Sequence, residues 1–415
     1  RDITDAVARA RHDILPAIMC TTLTTVLAFM AMLTIDSAAL RELSIVGTLG
    51  MLAMLVAVAT LVPALARLML TAKIVQSGAH FDRLRRLATA AFRHAAPFAV
   101  ACIVLLAIVG VAQRYVVTGY DPRELIPSYS TFLADVTTLE QHLPGSGRIH
   151  VLIEGVGAVP NADAANAQRL ALAATTLSGT ALDSVPDTDL TTLLASADGS
   201  AFSLPVPTSM LGTPAEITTK ATELTNSLAA AGLGDVTTVT GYSLLAATQT
   251  PVLVDGLRQA FFLAIVVMTA LIAAALRSLK VALATLVPNL LPILGTETWM
   301  ALTGQTITLT RPVALLVAFG IAVDNTIHVV NRVRLSRQSA ATPREAITDS
   351  LRALTAPIVT TSILLIAGFA LTAFSALPAV SLFGTMTALA ILIALVADLL
   401  LFPSLLLVAL GEDGA

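Results

Sequence analysis

The sequence PVALLVAFGIAVDNTIHVV, residues 312–330, is long enough to cross a lipid bilayer as a helix and carries one acidic residue, Asp324, near its middle. A carboxylate at that depth in hydrocarbon costs several kcal/mol unless it finds a partner or takes up a proton. Membrane helices that contain such a group commonly use it as an ion or proton site. This stretch therefore predicts an ion-driven transporter rather than a passive membrane anchor.

Composition places the chain among polytopic membrane proteins. Of the 415 residues, 56% are hydrophobic and 12% are charged, against roughly 25% charged in a soluble domain. The net charge of −3, with basic residues only in short clusters, gives no indication of nucleic-acid binding. Cys20 and Cys102 both fall inside apolar stretches, so we expect no structural disulfide.

Apolar stretches of about 20 residues are the candidates for membrane helices. There are eight of them, at 14–35, 43–67, 95–115, 257–276, 281–302, 312–333, 354–375 and 380–409. Basic residues cluster after the second, fourth and sixth stretch, so the positive-inside rule predicts that these connections and both termini are cytoplasmic, in an inner or plasma membrane. Segments 78–94 and 342–353 have mixed charge and helical spacing, which fits amphipathic helices at the cytoplasmic surface or ordinary connectors.

The segment 116–256 is more polar and is predicted to lie outside the cell membrane. Its apolar spacing predicts helices and strands, the helices at 129–142, 162–177 and 224–231 and the strands at 148–155 and 235–241. Helices that cross between strands favour a small α/β sandwich of ferredoxin-like type, while 180–215 has no clear pattern. No nucleophile elbow, metal-spaced His/Cys group or phosphate loop is found, so we expect no enzyme, metal or cofactor.

An internal repeat relates the first two predicted spans to the last two. A shift of 340 residues aligns them without gaps and matches Ile18, Thr21, Phe29 and Pro63 with Ile358, Thr361, Phe369 and Pro403. Transporters are commonly built from such duplicated halves. Since the chain begins with Arg1 and has only two helices of the first half, we expect an N-terminally truncated protein.

The predicted domains follow from the spans and the repeat. They are 1–70 (last two helices of the first repeat), 71–94 (amphipathic cytoplasmic linker), 95–115 (first helix of the second repeat), 116–256 (external domain), 257–409 (five-helix block) and 410–415 (cytoplasmic tail).

Polar residues inside the spans are the candidate functional residues. Gly320, Asp324, His328 and Asn331 have helical spacing, so we expect them to share one face of the sixth span. Such a polar stripe suits a proton relay, in which Asp324 would gain and lose a proton. His328 could pass protons on near neutral pH, or it could equally bond a lipid headgroup or a backbone carbonyl.

Further polar groups could support such a relay. Asp398 is a second deep acid, in the last span, but the repeat places Val58 at the equivalent position, so its role stays open. Thr361 and Ser362 could satisfy a carboxylate or bond their own backbone. The last candidates are Pro288, Asn289 and Pro292 in the fifth span, where we expect the helix to break or bend.

These features together resemble the resistance-nodulation-division superfamily, in particular its MMPL-like and predicted-exporter branches, over nearly the whole chain. GxxxD at 320–324, followed by TIH at 326–328, is similar to the signature of the family's tenth helix. PNLLP at 288–292 is similar to its ninth-helix run, and TVTG at 238–241 to the strand that closes its external porter domain.

The resemblance implies helices five to twelve of a twelve-helix fold, with Asp324 in a proton relay. Asn325, counted with Asp324 and His328 among the relay residues, stands where the family usually has Tyr or Asp. This leaves open whether proton coupling relies on Asp324 alone or on a partner in the missing fourth helix. The implied function is proton-driven export of a lipid or other hydrophobic substrate. The implied partners are the bilayer, the substrate, and a second copy or accessory export proteins.

Two other functions stay open at this point. A SecD/SecF-like accessory of protein export shares the fold, but it has six spans per chain or half and a different external domain. A sterol or lipid sensor that does not transport would use the repeat as a scaffold and would tolerate the loss of the Asp324 carboxylate.

Overall fold

The computed structural model describes residues 3–69, 95–115, 122–127, 129–142, 147–154, 162–177, 201–303, 308, 310–340 and 342–411. Its helices are α1 (Ile3–Ala31), α2 (Ala38–Met69), α3 (Ala95–Ala112), α4 (Phe132–His142), α5 (Ala162–Leu177), α6 (Pro214–Ala230), α7 (Tyr242–Leu276), α8 (Leu279–Leu302), α9 (Thr310–Ser336), α10 (Pro343–Leu371), α11 (Pro378–Val396) and α12 (Phe402–Leu410). The strands are β1 (Gly147–Glu154), β2 (Ala201–Thr208) and β3 (Thr237–Thr240). The chain forms two compact units, one of residues 1–117, 253–375 and 379–415 and the other of 118–252 and 376–378.

Eight helices of the described chain are long and apolar enough to cross a membrane. They are Ile14–Thr34, Leu40–Leu65, Ala95–Tyr115, Tyr242–Ala274, Leu279–Leu302, Pro312–Ser336, Pro343–Phe374 and Pro378–Leu410. The eight predicted spans and the polytopic helical fold are confirmed. The helices of the fourth and seventh spans, α7 and α10, begin earlier than predicted. In both, helical structure starts before the apolar run that marks the span.

The segment 342–353 is not a separate helix on the membrane surface. It is the first part of α10, which continues without interruption to Leu371. Ile347 and Leu351 are buried in a cluster that includes Val333 of α9. The apolar side of this amphipathic segment therefore packs on protein rather than on lipid. Segment 78–94, for which the sequence makes the same prediction, lies outside the described residues.

The helix bounds repeat with the same 340-residue shift as the sequence. The first pair has α1 ending at Ala31, a 3₁₀ turn at Met32–Thr34 and α2 beginning at Ala38, and the second has α10 ending at Leu371, a 3₁₀ turn at Thr372–Phe374 and α11 beginning at Pro378. The two pairs differ further along. α2 continues as a regular helix through Val58, whereas a π-helical turn, Ala397–Leu401, separates α11 from α12 at Asp398.

The α/β unit is built on a three-stranded antiparallel sheet with the order β2-β1-β3. Ile149, Val151 and Ile153 alternate on one face of β1 and are buried in a cluster with Leu177 of α5. The described elements thus form an α/β fold. A ferredoxin-like topology needs a fourth strand, and the residues that would supply it, 178–200, are not among those described.

Strand β2 lies in the stretch whose sequence has no clear pattern. Pro205 and Pro207 cannot donate backbone hydrogen bonds, which argues against a central strand. Among the described strands β2 pairs only with β1, so the prolines lie at the edge of the described sheet. Phe202, Leu204 and Val206 are buried on one face, in the alternation that a strand requires.

Candidate functional site

Asp324 lies near the middle of the membrane-spanning part of α9, and its Oδ1 atom is buried. This oxygen has no hydrogen-bond partner among the described residues. Thr21 of α1 lies beside the same carboxyl group. A buried acceptor without a partner is unfavourable. The carboxyl group is therefore placed to take up a proton or to receive a hydrogen bond from a group that enters the site.

A cavity of about 260 Å³ adjoins Asp324. Its walls come from three helices and include Thr25 and Phe29 of α1, Met54 of α2, and Gly320 of α9. A Cβ built at Gly320 would lie 3.6 Å from Thr25 Cγ2, which is an ordinary contact. Gly320 and Asp324 line the same cavity, which confirms the prediction that they share one face of α9. At Gly320 the distance between α9 and α1 leaves room for the methyl group of an alanine.

His328 and Asn331 do not line the cavity beside Asp324. His328 is half-buried, and Asn331 lines a second cavity of about 110 Å³ together with Cys20 and Arg334. Both cavities lie between α1 and α9, because residues of both helices contribute to each. The predicted polar stripe therefore does not face one cavity: Gly320 and Asp324 line the first, Asn331 lines the second, and His328 lines neither.

A second polar cluster lies at the π-helical turn and joins three helices. The Oγ1 atom of Thr326 lies 3.0 Å from Asn289 Oδ1 of α8 and 3.0 Å from Asp398 Oδ1. All three side chains are buried. Asn325 also lies beside the Asp398 carboxyl group. Asn325, predicted to assist Asp324, thus contacts the other acid.

The hydroxyl groups predicted to support the acids bond largely to backbone. Thr361 is exposed, and its hydroxyl donates to the carbonyl oxygens of Pro357, at 3.0 Å, and Ile358, at 3.1 Å. Ser362 is buried in α10. In the repeat mate of this helix, the Thr25 hydroxyl donates to the Thr21 carbonyl oxygen at 3.0 Å. These contacts favour the role in which the hydroxyl groups bond to their own backbone over the role in which they satisfy a carboxylate.

The predicted helix break in the fifth span is not observed, because α8 runs through Pro288 and Pro292 without interruption. Each proline removes one backbone donor, a loss that a well-packed helix can absorb. The bend stays a prediction. Asn289 instead has a specific contact with Thr326, a residue to which sequence alone gives no role. The available signal was an amide in an apolar helix, where a buried polar group requires a partner.

Across the residues that the structure describes, no group of three or more His, Cys, Asp or Glu side chains could hold a metal ion. The site geometry accordingly rests on two carboxyl groups, Asp324 and Asp398, and their neutral polar neighbours.

Comparison with known proteins identifies one family. No curated protein matched the chain. The sequence model of the MMPL family matches residues 1–101 and 125–413, which include both cavities and the Asp398 cluster. The match covers most of the chain and agrees with the resemblance carried by the GxxxD and PNLLP motifs. The chain therefore belongs to the MMPL family of membrane transporters.

Proposed function

We propose that this protein uses the proton-motive force to export a lipid or another hydrophobic substrate out of the cytoplasmic membrane. One observation carries the proposal: a buried, unpartnered carboxyl oxygen of Asp324 adjoins an apolar cavity between membrane helices. The MMPL family supports transport. Proton coupling is inferred from the chemistry of the acid and its surroundings.

The energies involved are of similar size. A proton that moves down a 100 mV potential releases about 2.3 kcal/mol, and a charged acid at the centre of a membrane helix costs about 2.5–3.5 kcal/mol on an insertion scale. Protonation of Asp324 would remove most of that cost, and deprotonation would restore it. One proton per cycle would then change the relative free energies of two alternative packings of α1 against α9 by a similar amount.

A hydrophobic substrate suits the cavity beside Asp324. Phe29, Met51 and Met54 contribute to its walls, and methionine side chains adapt readily to ligands of different shape. A volume of about 260 Å³ lies just below the roughly 300–1,000 Å³ of pockets for drug-sized ligands. The cavity would hold part of an acyl chain or a small amphiphile rather than a whole lipid.

We place the α/β unit outside the cell and the termini in the cytoplasm, because the basic connections follow the positive-inside rule. A porter domain of ferredoxin-like type has antiparallel strands covered by helices. The order β2-β1-β3 is compatible with three of its four strands. The unit would then guide the substrate after it leaves the membrane.

The test uses the full-length protein in liposomes with a fluorescent long-chain lipid and a pH-sensitive dye. Asp324→Asn should abolish lipid export and the accompanying proton flux, while Asp324→Glu should retain part of both. The matched control is Asp349→Asn, since Asp349 is an exposed acid in α10 paired with Arg352 at 3.3 Å. It should export at the wild-type rate.

Other results would favour the competing functions. An unchanged export rate in Asp324→Asn would mean that the Asp324 carboxyl group does not couple protons to export. Lipid binding without export in the wild type would favour a sensor. Stimulation of preprotein translocation in place of lipid export would favour a protein-export accessory.

A further inference from the structure

The buried cluster of Asn289, Thr326 and Asp398 has more acceptors than its one hydroxyl proton can serve. Thr326 Oγ1 lies within hydrogen-bond distance of Asn289 Oδ1 (3.0 Å), Asp398 Oδ1 (3.0 Å) and the Ala322 carbonyl oxygen (3.3 Å). A threonine hydroxyl donates one hydrogen bond and accepts others. At least one of these contacts therefore needs a proton from another group.

Two further atoms of the cluster lack partners. Asn289 Nδ2 and Asp398 Oδ2 are buried and form no hydrogen bond to a described residue. Asn289 and Thr326 are 0% exposed and Asp398 is 1% exposed. Unpartnered polar atoms at this depth are costly, so a single fixed arrangement with an ionised Asp398 leaves the cluster poorly satisfied.

We propose that Asp398 is a second proton-binding site of the transporter, and that the Asn289 amide turns over when this proton binds or leaves. The proposal rests on the proton-driven function above and extends it to a group outside the cavity of Asp324. It makes Asn289 and Thr326 positioning residues for the Asp398 proton.

Two proton arrangements satisfy both 3.0 Å contacts. With Asp398 protonated, its O–H donates to Thr326 Oγ1, and the Thr326 hydroxyl donates to the Asn289 carbonyl oxygen. With Asp398 ionised, the amide has rotated by half a turn, so Asn289 donates an N–H to Thr326, and Thr326 donates to the carboxylate. The oxygen and nitrogen ends of an amide have nearly the same shape, which makes this exchange sterically easy. One bound proton thus reverses the hydrogen-bond chain.

The internal repeat has an acid at the position of Asp398 in only one of its two copies. Val58 is the equivalent of Asp398 and lies within the regular helix α2. The π-helical turn occurs where the acid replaces the valine. Single π-turns inside α-helices are frequent at functional sites. The acid and the local distortion therefore occur together in one repeat only.

Among the described side chains, no nearby cation replaces the proton. The described titratable side chains on the helices packed against the π-helical turn are Cys102 of α3, Lys280 and Glu297 of α8, Asp324, His328, Arg332 and Arg334 of α9, and Arg344, Glu345, Asp349 and Arg352 of α10. Among the described residues, the contacts recorded for the Asp398 carboxyl group are with Thr326 and Asn325, which are neutral. A proton is therefore the charge that can neutralise Asp398 in this setting.

The test is infrared difference spectroscopy of the full-length protein in lipid nanodiscs, carried out in an Asp324→Asn background. We expect a carbonyl-stretch band of a protonated carboxylic acid that disappears reversibly as the pH is raised. Adding Asp398→Asn should remove this band, while adding Glu297→Gln, at the half-buried acid of α8, should leave it in place.

A second variant tests the hydrogen-bond chain and can be interpreted even if the Asp398→Asn variant does not fold. Thr326→Val should shift the Asp398 band to higher frequency, because the acid loses its acceptor. The matched control is Thr296→Val, since Thr296 is equally buried in α8 but bonds its own backbone at Pro292 O, 2.6 Å away. It should leave the band unchanged.

Three outcomes would overturn the proposal: no band that depends on Asp398, a band that persists at every pH at which the protein stays folded, or equal shifts in the two threonine variants. Since Asp324 is already replaced, failure of Asp324-driven export would leave this result unaffected. Loss of the Asp398 band would in turn leave the proposed export function standing.

Discussion

Asp324 and Thr326 are two residues apart on α9 and serve different polar sites. Two residues correspond to a turn of roughly 200° about the helix axis, so their side chains leave opposite sides of the helix. Asp324 adjoins the cavity shared with α1 and α2, whereas Thr326 contacts Asn289 and Asp398. One helix thus lies between two carboxyl groups, and a small rotation or shift of α9 would change the surroundings of both.

We expect Gly320→Ala to leave export and stability unchanged. The added Cβ would lie 3.6 Å from Thr25 Cγ2, at ordinary contact distance. Gly320→Met should instead fill part of the cavity beside Asp324 and reduce lipid export severalfold, with little change in thermal stability. The measurement is export in liposomes together with thermal unfolding. Equal export by the two variants would show that the cavity is not on the substrate path.

Gly384→Ala should destabilise the second repeat. A Cβ at Gly384 would overlap the Thr372 hydroxyl oxygen and the Phe369 carbonyl oxygen, and the carbonyl belongs to the backbone and cannot move aside freely. Overpacking of this kind typically costs about 1–3 kcal/mol. Gly368→Ala is the matched control, because no other atom lies within 4 Å of its added Cβ. Thermal unfolding in detergent should show a lower midpoint for the first variant only.

Much of the membrane fold follows from sequence because the length and apolarity of a span are local properties. The structure repeats the 340-residue shift found in the sequence, with 3₁₀ turns at Met32–Thr34 and Thr372–Phe374. The early start of α10 at Pro343 could not be predicted in this way. Its mixed charge resembles a surface helix, and only the packing of Ile347 against α9 shows otherwise.

The candidate site was partly accessible from sequence. Asp324 stands out because an acid in an apolar helix is costly wherever it points. The partners of Asp398 were not accessible, because Asn289 and Thr326 lie on other helices, far apart in the chain. The separation of Asn331 from the cavity of Gly320 and Asp324 depends on where α1 crosses α9, which helical spacing does not determine.

Thr213→Ala should loosen the start of α6 in the α/β unit. Thr213 Oγ1 accepts a hydrogen bond from the Glu216 N–H at 3.3 Å, and Glu216 Oε2 accepts one from the Thr213 N–H at 2.9 Å. Loss of such a cap costs about 1 kcal/mol, or about fivefold in the local opening equilibrium. Amide hydrogen exchange of the first turn should become faster by that factor.

The control for the capping variant is Thr222→Ala, in the middle of the same helix. Thr222 is exposed and donates to the carbonyl oxygen of Thr218 at 2.8 Å. Its replacement by alanine should slow exchange slightly or leave it unchanged, since alanine has the higher helix propensity. Unchanged exchange in Thr213→Ala would mean that the first turn of α6 is held by packing rather than by its cap, and equally faster exchange in Thr222→Ala would mean that the effect is not specific to the cap.

Cys20 should react with small water-soluble thiol reagents faster than Cys102. Cys20 is half-buried and lines the cavity of about 110 Å³ that also includes Asn331 and Arg334. Cys102 is 2% exposed and packs with Val287 of α8. Peptide mass spectrometry after timed labelling measures both rates in one sample. Cys20→Ser serves as the control that assigns the faster rate.

A bulky substitution at Asn331 should then slow the labelling of Cys20, because both side chains line the same cavity. We expect Asn331→Phe to reduce the rate severalfold and to leave Cys102 unchanged. Labelling of Cys20 as slow as that of the buried Cys102 in the wild type would mean that water does not enter between α1 and α9. The cavity could not then supply a path for protons toward Asp324.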